Sequence, residues 1–171
     1  MNKPVMHLVS DAPDKLGAAR RLIEDYMLLP DGWEWHGQPP LALPDFLAEE
    51  LARLPTPAEP PAGDIVLAAT DETAVAVGMI VAIDSESCEF KRVFVVEAHR
   101  GAGVAGRLVA AMEHRAQGLG YRRVIIDVLP ERDAAVRFWQ KRGFVACEPI
   151  REEPVPMLFF ERSLAGGGDQ R

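Results

Sequence analysis

Cys88-Glu-Phe-Lys-Arg-Val-Phe-Val-Val-Glu-Ala-His-Arg-Gly-Ala-Gly-Val-Ala-Gly-Arg-Leu-Val109 is the stretch that decides the fold of this 171-residue chain, because it predicts a β-strand that runs through a glycine-rich turn into an α-helix. Glycines at 101, 103 and 106 allow a sharp turn and let backbone N–H groups approach an anion closely. The helix that follows adds the positive end of its dipole. The stretch therefore predicts a binding site for a phosphate or diphosphate group.

Two other phosphate-binding motifs contain similar glycines and predict different chemistry. A Walker A loop requires Lys-Ser or Lys-Thr after its last glycine, whereas this chain has Arg107-Leu108 there, which argues against nucleotide hydrolysis. A dinucleotide-binding fold uses Gly-x-Gly-x-x-Gly with an acidic residue about 20 positions later, and the three glycines together with Asp127 satisfy that pattern. The glycines alone leave this second alternative open.

The sequence on both sides of the turn narrows the interpretation. Glu89-Phe-Lys-Arg-Val-Phe-Val-Val96 precedes it, and Ala135-Val-Arg-Phe-Trp-Gln-Lys-Arg-Gly-Phe144 follows it. Together with the turn, these segments resemble the GNAT superfamily of acyl-CoA-dependent N-acyltransferases. The signature of that superfamily is Arg/Gln-x-x-Gly-x-Gly/Ala after the fourth strand, with a later helix that ends in Gly-Phe. Arg100, Gly103 and Ala105 fill the three signature positions.

The resemblance, which covers residues 64 to 148, implies an α/β (α+β) GNAT fold with a mixed, mostly antiparallel sheet and helices on both faces. About six or seven strands are expected, and the fourth and fifth splay apart so that acyl-CoA enters between them. Apolar periodicity agrees with this order of elements. It predicts strands at 5–9, 64–69, 74–82, 88–96, 121–129, 144–147 and 157–162, and helices at about 45–54, 103–117 and 130–142. It also predicts a first helix that Asp11 or Asp14 could cap and that carries apolar residues from Leu16 to Met27.

The same resemblance implies acetyl-CoA as the co-substrate and assigns residues to it. Backbone groups of Val93, Phe94 and Val95 would bind the acyl and pantetheine amides in the manner of an added strand. Trp139, on the later helix, would either pack in the core or form a wall of the cofactor site. The residues of the glycine turn that would hold the diphosphate are Arg100, Gly101, Ala102, Gly103, Val104, Ala105 and Gly106.

Acetyl transfer to an amine needs a base and an oxyanion donor, because amines have a pKa near ~10 and are mostly protonated at neutral pH. Glu89 is the candidate general base, since some members of the resembled superfamily carry a catalytic glutamate at this position of the wall strand. A structural ion pair with a Lys or Arg is the alternative interpretation of Glu89. The backbone N–H of Val93 is the candidate oxyanion donor.

The residue at position 139 raises a question about catalysis. The resembled superfamily often has a tyrosine there, which protonates the departing thiolate, whereas this chain has Trp139. An indole N–H donates hydrogen bonds but has no usable acidity. Three alternatives follow: the thiolate leaves unassisted, another acid serves, or the protein does not catalyse transfer.

Composition limits the class of protein. With 48% hydrophobic and 26% charged residues, the 171-residue chain suits one domain, expected at 1–164 and followed by a flexible tail at 165–171. We expect a cytoplasmic protein that does not bind membranes, because no apolar run approaches a membrane span and no signal-peptide pattern is present. A net charge of −7 argues against nucleic-acid binding. Two cysteines, Cys88 and Cys147, predict neither a disulfide framework nor a metal site.

The first half of the chain carries the expected acceptor site. Residues 1–84 hold 5 Lys and Arg against 14 Asp and Glu. This excess of acidic residues would either attract a cationic amine or form an ordinary solvated surface. Trp33, Trp35 and His36, in the loop between the first two helices, are the candidate substrate-binding residues, since they could receive a cation through cation–π and charge contacts. Packing within the protein is the alternative interpretation of these residues. The expected partner is a small-molecule or peptide amine. Its identity, and whether the protein forms a homodimer, stay open.

Two other functions are compatible with the sequence. A non-catalytic acyl-CoA-binding or sensor module would keep the glycine turn but lack the acid, which Trp139 favours. A dinucleotide-binding oxidoreductase would use the glycines for a nicotinamide cofactor. The position of the turn after three or four strands, with Gly143-Phe144 behind it, favours the acyltransferase instead. Binding of CoA or of NAD distinguishes these functions.

Overall fold

The computed structural model describes residues 3–29, 43–71 and 73–164. The predicted acceptor residues Trp33, Trp35 and His36 and the predicted tail at 165–171 lie outside these ranges. The elements follow the predicted order, with small differences in their bounds. They are β1 (Val5–Leu8), α1 (Leu16–Met27), α2 (Asp45–Ala52), β2 (Asp64–Thr70), β3 (Thr73–Ala82), β4 (Ser87–Val95), α3 (Val104–Gly118), β5 (Arg123–Val128), α4 (Asp133–Lys141), β6 (Val145–Ala146) and β7 (Leu158–Ser163).

The described strands form one seven-stranded sheet in the order β1-β2-β3-β4-β5-β7-β6. Neighbouring strands in it are antiparallel except β4 and β5, which run parallel. The predicted mixed, mostly antiparallel sheet is therefore confirmed. None of the helices in the described ranges is long and apolar enough to cross a membrane.

Apolar side chains form one core on each face of the sheet. Along β2, Ile65 and Leu67 belong to one core and Val66 and Ala68 to the other, because successive strand residues point to opposite faces. Helices α1 and α2 cover the first core, and α3 and α4 cover the second. Their buried residues are Ala19, Leu22, Ile23, Met27 and Leu47 in the first core, and Val104, Leu108, Val109, Met112, Ala116 and Trp139 in the second.

The parallel pair β4–β5 is short, and this creates the opening that holds the candidate site. The pairing runs from Ser87 to Glu89 on β4 and then stops, although β4 continues to Val95 and β5 to Val128. On its other edge, β4 remains paired with β3 up to Val95. The two strands therefore splay apart as predicted. Within the described ranges, the edge of β4 that faces β5 has no strand partner after Glu89.

A β-bulge lies in β4 just beyond the point where the two strands separate. The register with β3 shifts between Lys91 and Phe94, so Arg92 and Val93 oppose a single residue of β3. Arg92 has a φ of 56°, and its guanidinium binds both carboxylate oxygens of Glu50 in α2, at 3.1 and 2.7 Å. This ion pair connects the bulge to the helix that covers it. The bulge interrupts the regular ladder at Val93, the predicted oxyanion donor.

Candidate active site

The glycine turn (residues 100–106) joins the end of β4 to the start of α3. Gly101 and Gly103 have φ values of 75° and 73°, a left-handed conformation that is costly for residues with a Cβ. At the start of α3, the N–H of Arg107 donates to the Gly103 carbonyl at 3.2 Å. Among the described residues, no backbone hydrogen bond outside the helices and strands is donated by residues 101–106. Their N–H groups are therefore available to an anion at the N-terminus of α3.

Arg100 is held against the end of β4. Its Nε donates to the Val95 carbonyl at 3.0 Å, and its guanidinium lies 5.9 Å from the centre of the Phe94 ring. The side chain is thus placed beside the turn, and none of the described residues accepts a hydrogen bond from its remaining N–H groups, which can contact an anion.

Two further arginines approach the glycine turn. A guanidinium nitrogen of Arg107 lies 3.8 Å from the position that a Cβ would take at Gly103. One of Arg142 lies 3.5 Å from the equivalent position at Gly106. The Nε of Arg107 is buried and has no hydrogen-bond partner among the described residues. Positive charge beside unpaired backbone N–H groups suits a diphosphate.

A cavity of about 870 Å³, here the larger cavity, lies between β4 and α4. Residues 93–95 and 100–101 line one wall, and residues between 131 and 139 line the other. Its size is typical of a site for a small molecule. The glycine turn forms one end of it.

A second cavity of about 300 Å³, here the smaller cavity, lies on the other side of the opening between β4 and β5. Both apolar and charged side chains line it. They include Phe46 and Leu47 of α2, Lys91 and Arg92 of β4, Asp127 of β5, and Arg151, Glu153 and Met157 from the segment between β6 and β7.

The two cavities meet in the opening, at a place that we call the junction. Residues from α1, β4, α4 and the connecting segments line both cavities there. Eight described residues do so: Tyr26, Leu29, Val93, Leu129, Arg132, Ala135, Trp139 and Val155. A ligand in one cavity would therefore contact a ligand in the other at the junction.

Glu89 belongs to a carboxylate cluster beside the smaller cavity, formed by Glu89, Asp127, Glu153 and Arg151. Glu89 is 5% exposed, and its two oxygens accept hydrogen bonds from the Arg151 guanidinium at 2.8 and 3.0 Å. Arg151 also donates to Asp127 at 2.6 Å and to Glu153. Three carboxylates thus share one guanidinium. The ion pair considered as the alternative role of Glu89 is present.

The surroundings of Asp127 and Arg151 raise the pKa of each group, for different reasons. Burial raises the pKa of the Asp127 carboxyl, the charge of Glu89 adds to the rise, and Arg151 and Lys91 oppose it. Burial alone would lower the pKa of Arg151, but the bonds and charges of Glu89, Glu153 and Asp127 outweigh it and raise that pKa. Arg151 therefore remains charged. A cavity-lining carboxyl with a raised pKa has the property that a general base needs.

Comparison with known proteins decides the family. A profile of the acetyltransferase (GNAT) family matches residues 17–144. The chain belongs to the GNAT acetyltransferase family. An N-acetyltransferase of Schizosaccharomyces pombe (strain 972), described as uncharacterized, is 32% identical over 117 residues, which make up 67% of this chain and 71% of that protein.

Solved structures share the GNAT fold. An acetyltransferase from Streptococcus agalactiae aligns with a TM-score of 0.71 at 15% identity, covering 95% of this chain and 99% of that one. A GNAT family acetyltransferase from Elizabethkingia anophelis, solved with acetyl-CoA bound, aligns with a TM-score of 0.63 at 17% identity, covering 95% of this chain and 99% of that one. At these identities the likeness shows the fold alone.

The GNAT fold brings most of the predicted cofactor residues together. Those that line the larger cavity are Val93, Phe94, Val95, Arg100, Gly101, Ala105 and Trp139. Ala102, Gly103 and Gly106 belong to the same turn. Val104 is 2% exposed and packs in the core, so only its backbone faces outward. Family membership also removes the dinucleotide interpretation of the glycines.

Several residues of the site had no assignment from the sequence. Arg151 and Arg132 lie in connecting segments, where no periodicity marks a side chain that reaches a cavity. Asp127 was identified from the sequence only as the acidic residue of the dinucleotide-binding pattern, and no role in proton transfer was assigned to it. Within the described ranges, no group of three His, Cys, Asp or Glu side chains is arranged to hold a metal ion.

Proposed function

We propose that this GNAT protein moves an acetyl group from acetyl-CoA to a primary amine by direct attack in a ternary complex. The observation that carries the proposal is the meeting of two cavities at the junction, one starting at the glycine turn and the other beside the carboxylate cluster. Donor and acceptor would approach the junction from opposite sides. Holding both reactants in one geometry is itself a large part of the rate enhancement in such reactions.

The residues around the larger cavity fit acetyl-CoA. The unpaired N–H groups of residues 101–106 and the guanidiniums of Arg100 and Arg107 offer donors and charge for the diphosphate. The open edge of β4 beyond Glu89 suits the pantetheine amides as an added strand. When bound there, acetyl-CoA supplies the thioester that the amine attacks.

Val93 remains our candidate oxyanion donor. It lines the junction and sits in the bulge, where β4 leaves its regular ladder with β3. A backbone N–H fixed at this place would stabilise the negative charge that develops on the carbonyl oxygen during attack.

Two carboxylates are candidates for the base that takes the proton of the amine. Glu89, the candidate from the sequence, is buried, and both of its oxygens are bonded to Arg151. Asp127 lines the smaller cavity, and its pKa is raised by burial and by Glu89. We therefore propose that Asp127 accepts the proton and that Glu89 holds Arg151 in place. Glu89 as the base is the alternative, and substitution of each residue distinguishes them.

The acceptor belongs in the smaller cavity under this proposal. Asp127 and Glu153 place acidic groups on its wall, which supports a small-molecule or peptide amine with positive charge. Trp33, Trp35 and His36 remain the predicted residues for holding it. Their substitution should change KM for the amine and leave binding of acetyl-CoA unchanged.

A non-catalytic acyl-CoA-binding protein is the second candidate function. Two observations favour it: Arg151 engages both oxygens of Glu89, and the junction carries the indole of Trp139. Such a protein would bind acetyl-CoA and release no thiol with any amine.

The first test is calorimetric titration of the full chain with acetyl-CoA, CoA and NAD side by side. We expect both CoA species to bind and NAD not to bind. Arg100→Ala should weaken binding, whereas Arg21→Ala, which removes an exposed arginine of α1 outside both cavities, should not. Failure of the folded protein to bind either CoA species would refute the proposal.

The second test measures release of free thiol from acetyl-CoA with a panel of primary amines. Release that depends on the amine, together with mass-spectrometric detection of the acetylated product, supports catalysis. Tight binding of acetyl-CoA with no release for any amine favours the non-catalytic alternative.

A further inference from the structure

Aminolysis of a thioester expels a thiolate, which leaves more readily when it receives a proton as the C–S bond breaks. Three of the eight residues that line the junction carry a polar hydrogen on the side chain: Tyr26, Arg132 and Trp139. Guanidinium and indole N–H groups do not transfer protons near neutral pH, whereas a phenol can. Among the described residues of the junction, Tyr26 is therefore the one suited to proton transfer.

We infer that Tyr26 of α1 is the proton donor to the departing thiolate of CoA. The inference rests on the proposed function and names a residue that the family match does not assign. Tyr26 reaches the junction from the side of α1, whereas Trp139 reaches it from α4. The proposed acid therefore lies on the wall of the junction opposite position 139, where the related proteins often have a tyrosine and this chain has Trp139.

The contacts of Tyr26 fix its oxygen and leave its hydrogen available. The guanidinium of Arg132 donates to the Tyr26 oxygen at 3.0 Å, and its central carbon lies 5.3 Å from the centre of the ring. The Phe94 ring packs on Tyr26 with 6.0 Å between the ring centres. Because the phenol oxygen accepts the bond from Arg132, its own hydrogen points elsewhere. No described residue accepts a hydrogen bond from it.

Charged groups of both signs surround the phenol, and the nearest of them are cationic. Arg132 contacts it directly, and Arg92, already paired with Glu50, interacts with it electrostatically. Further charged groups line the cavities that Tyr26 shares: Lys91, Asp127, Arg151, Glu153, Glu131 and Asp133. The cation in direct contact is Arg132, and its N–H can keep donating to the oxygen while the proton moves away.

The step balances in atoms and charge. The C–S bond of the tetrahedral intermediate breaks, and its electron pair stays on sulfur. The O–H bond of Tyr26 breaks, and the proton moves to that sulfur, giving CoA as a free thiol. The phenolate then faces Arg132 until a proton returns from water. As the C–S bond breaks, the oxyanion re-forms the carbonyl. The base releases the amine's proton to water, which balances the proton that the phenolate takes up, so the net products are the acetylated amine and free CoA.

The test compares Tyr26→Phe with Tyr121→Phe. The first removes only the hydroxyl and keeps the ring that packs on Phe94. The second removes the other phenol of the chain, whose hydroxyl donates to the Ala62 carbonyl at 2.6 Å outside both cavities. With the most active amine of the panel, kcat should fall about 10²-fold in Tyr26→Phe while KM for acetyl-CoA stays unchanged. Tyr121→Phe should keep both constants.

Two further readouts separate proton donation from packing. With the thioester of an aryl thiol, S-phenyl thioacetate, the thiolate needs no proton, so Tyr26→Phe should react as fast as the wild type. The double variant Tyr26→Phe with Trp139→Tyr places a phenol on the opposite wall of the junction and should regain part of kcat. An equal loss of rate with both thioesters would overturn the inference.

The outcomes also separate this inference from the proposed function. An active wild type whose Tyr26→Phe variant keeps its kcat, or only raises KM, overturns the role of Tyr26 and leaves acetyl transfer standing. A folded wild type that binds acetyl-CoA and releases no thiol with any amine overturns acetyl transfer, and the role of Tyr26 with it.

Discussion

Asp127→Asn and Glu89→Gln should have opposite effects on stability and on catalysis, although the two carboxylates bind the same arginine. Glu89 is 5% exposed and bonded to Arg151 through both oxygens, whereas Asp127 lines the smaller cavity. We expect Asp127→Asn to keep the stability of the protein and to reduce acetyl transfer. We expect Glu89→Gln to reduce the stability and to retain most of the transfer.

The size of the Glu89 effect follows from its burial. Breaking a buried ion pair by removing one charge costs about 3–5 kcal/mol of the free energy of unfolding. The Arg151 side chain is 33% exposed and keeps Asp127 and Glu153 as partners, so water and the remaining carboxylates reduce the loss. We therefore expect Glu89→Gln to cost about 2 kcal/mol.

The charge of Asp127 is expected to lower the free energy of unfolding, in contrast to that of Glu89, because the pKa of Asp127 is raised in the folded protein, mainly by burial. A raised pKa means that folding disfavours the charged form, so this group opposes folding above the raised folded value. The penalty disappears as the pH falls below the unfolded value near ~3.9, where the carboxyl is protonated in both states. At pH 7, Asp127→Asn should therefore be at least as stable as the wild type, and this advantage should vanish at acid pH.

Urea unfolding at pH 7 and pH 3.5 gives the stabilities, and thiol release with the best amine gives the rates. We expect kcat to fall about 10²-fold or more in Asp127→Asn, because a general base contributes on that scale. Glu152→Gln, at an exposed neighbour of Arg151, is the matched control and should change neither property. Loss of transfer in a stable Glu89→Gln variant, with transfer retained in Asp127→Asn, would show that Glu89 is the base and refute this reasoning.

Three further predictions concern the turn, the core and the thiols. Gly101→Ala, at φ 75°, should cost about 1 kcal/mol of stability and weaken acetyl-CoA binding in calorimetry. Gly118→Ala, where a Cβ meets nothing within 4 Å, is the control and should stabilise α3 by up to about 1 kcal/mol and leave acetyl-CoA binding unchanged. An equal loss of acetyl-CoA binding in Gly101→Ala and Gly118→Ala would contradict the role of the turn. Tyr121→Phe leaves the Ala62 carbonyl without its partner and should cost about 1–2 kcal/mol in urea unfolding; an unchanged midpoint would mean that the bond contributes nothing. Cys88 is fully buried, and burial raises its pKa to about 12, so at pH 8 it should resist a thiol reagent until the protein unfolds. Mass spectrometry after labelling measures this, and rapid labelling of Cys88 in the native protein would contradict its burial.

Much of the fold was predictable because its signals are local. Alternation of apolar residues marks the hairpin of β2 and β3, and glycines that require a positive φ mark the turn before α3. The fifth strand shows the limit of such signals. Tyr121 was predicted to begin it, but β5 starts at Arg123, because the N–H of Tyr121 still bonds to Ala116 of α3. Periodicity locates an element and does not set its ends, which depend on hydrogen-bond partners.

The sequence by itself determined the resemblance to the family, the order of strands and helices along the chain, and the glycine turn, since these depend on residues close together in the chain. Only the tertiary structure decided which side chains share the site. Glu89 meets Asp127 because β4 and β5 pair in parallel from Ser87 to Glu89 and then separate. Arg151 joins them from a segment 62 positions further along the chain, and Tyr26 meets Arg132 across 106 positions. Such contacts depend on the packing of distant elements and on burial, which no local spacing encodes.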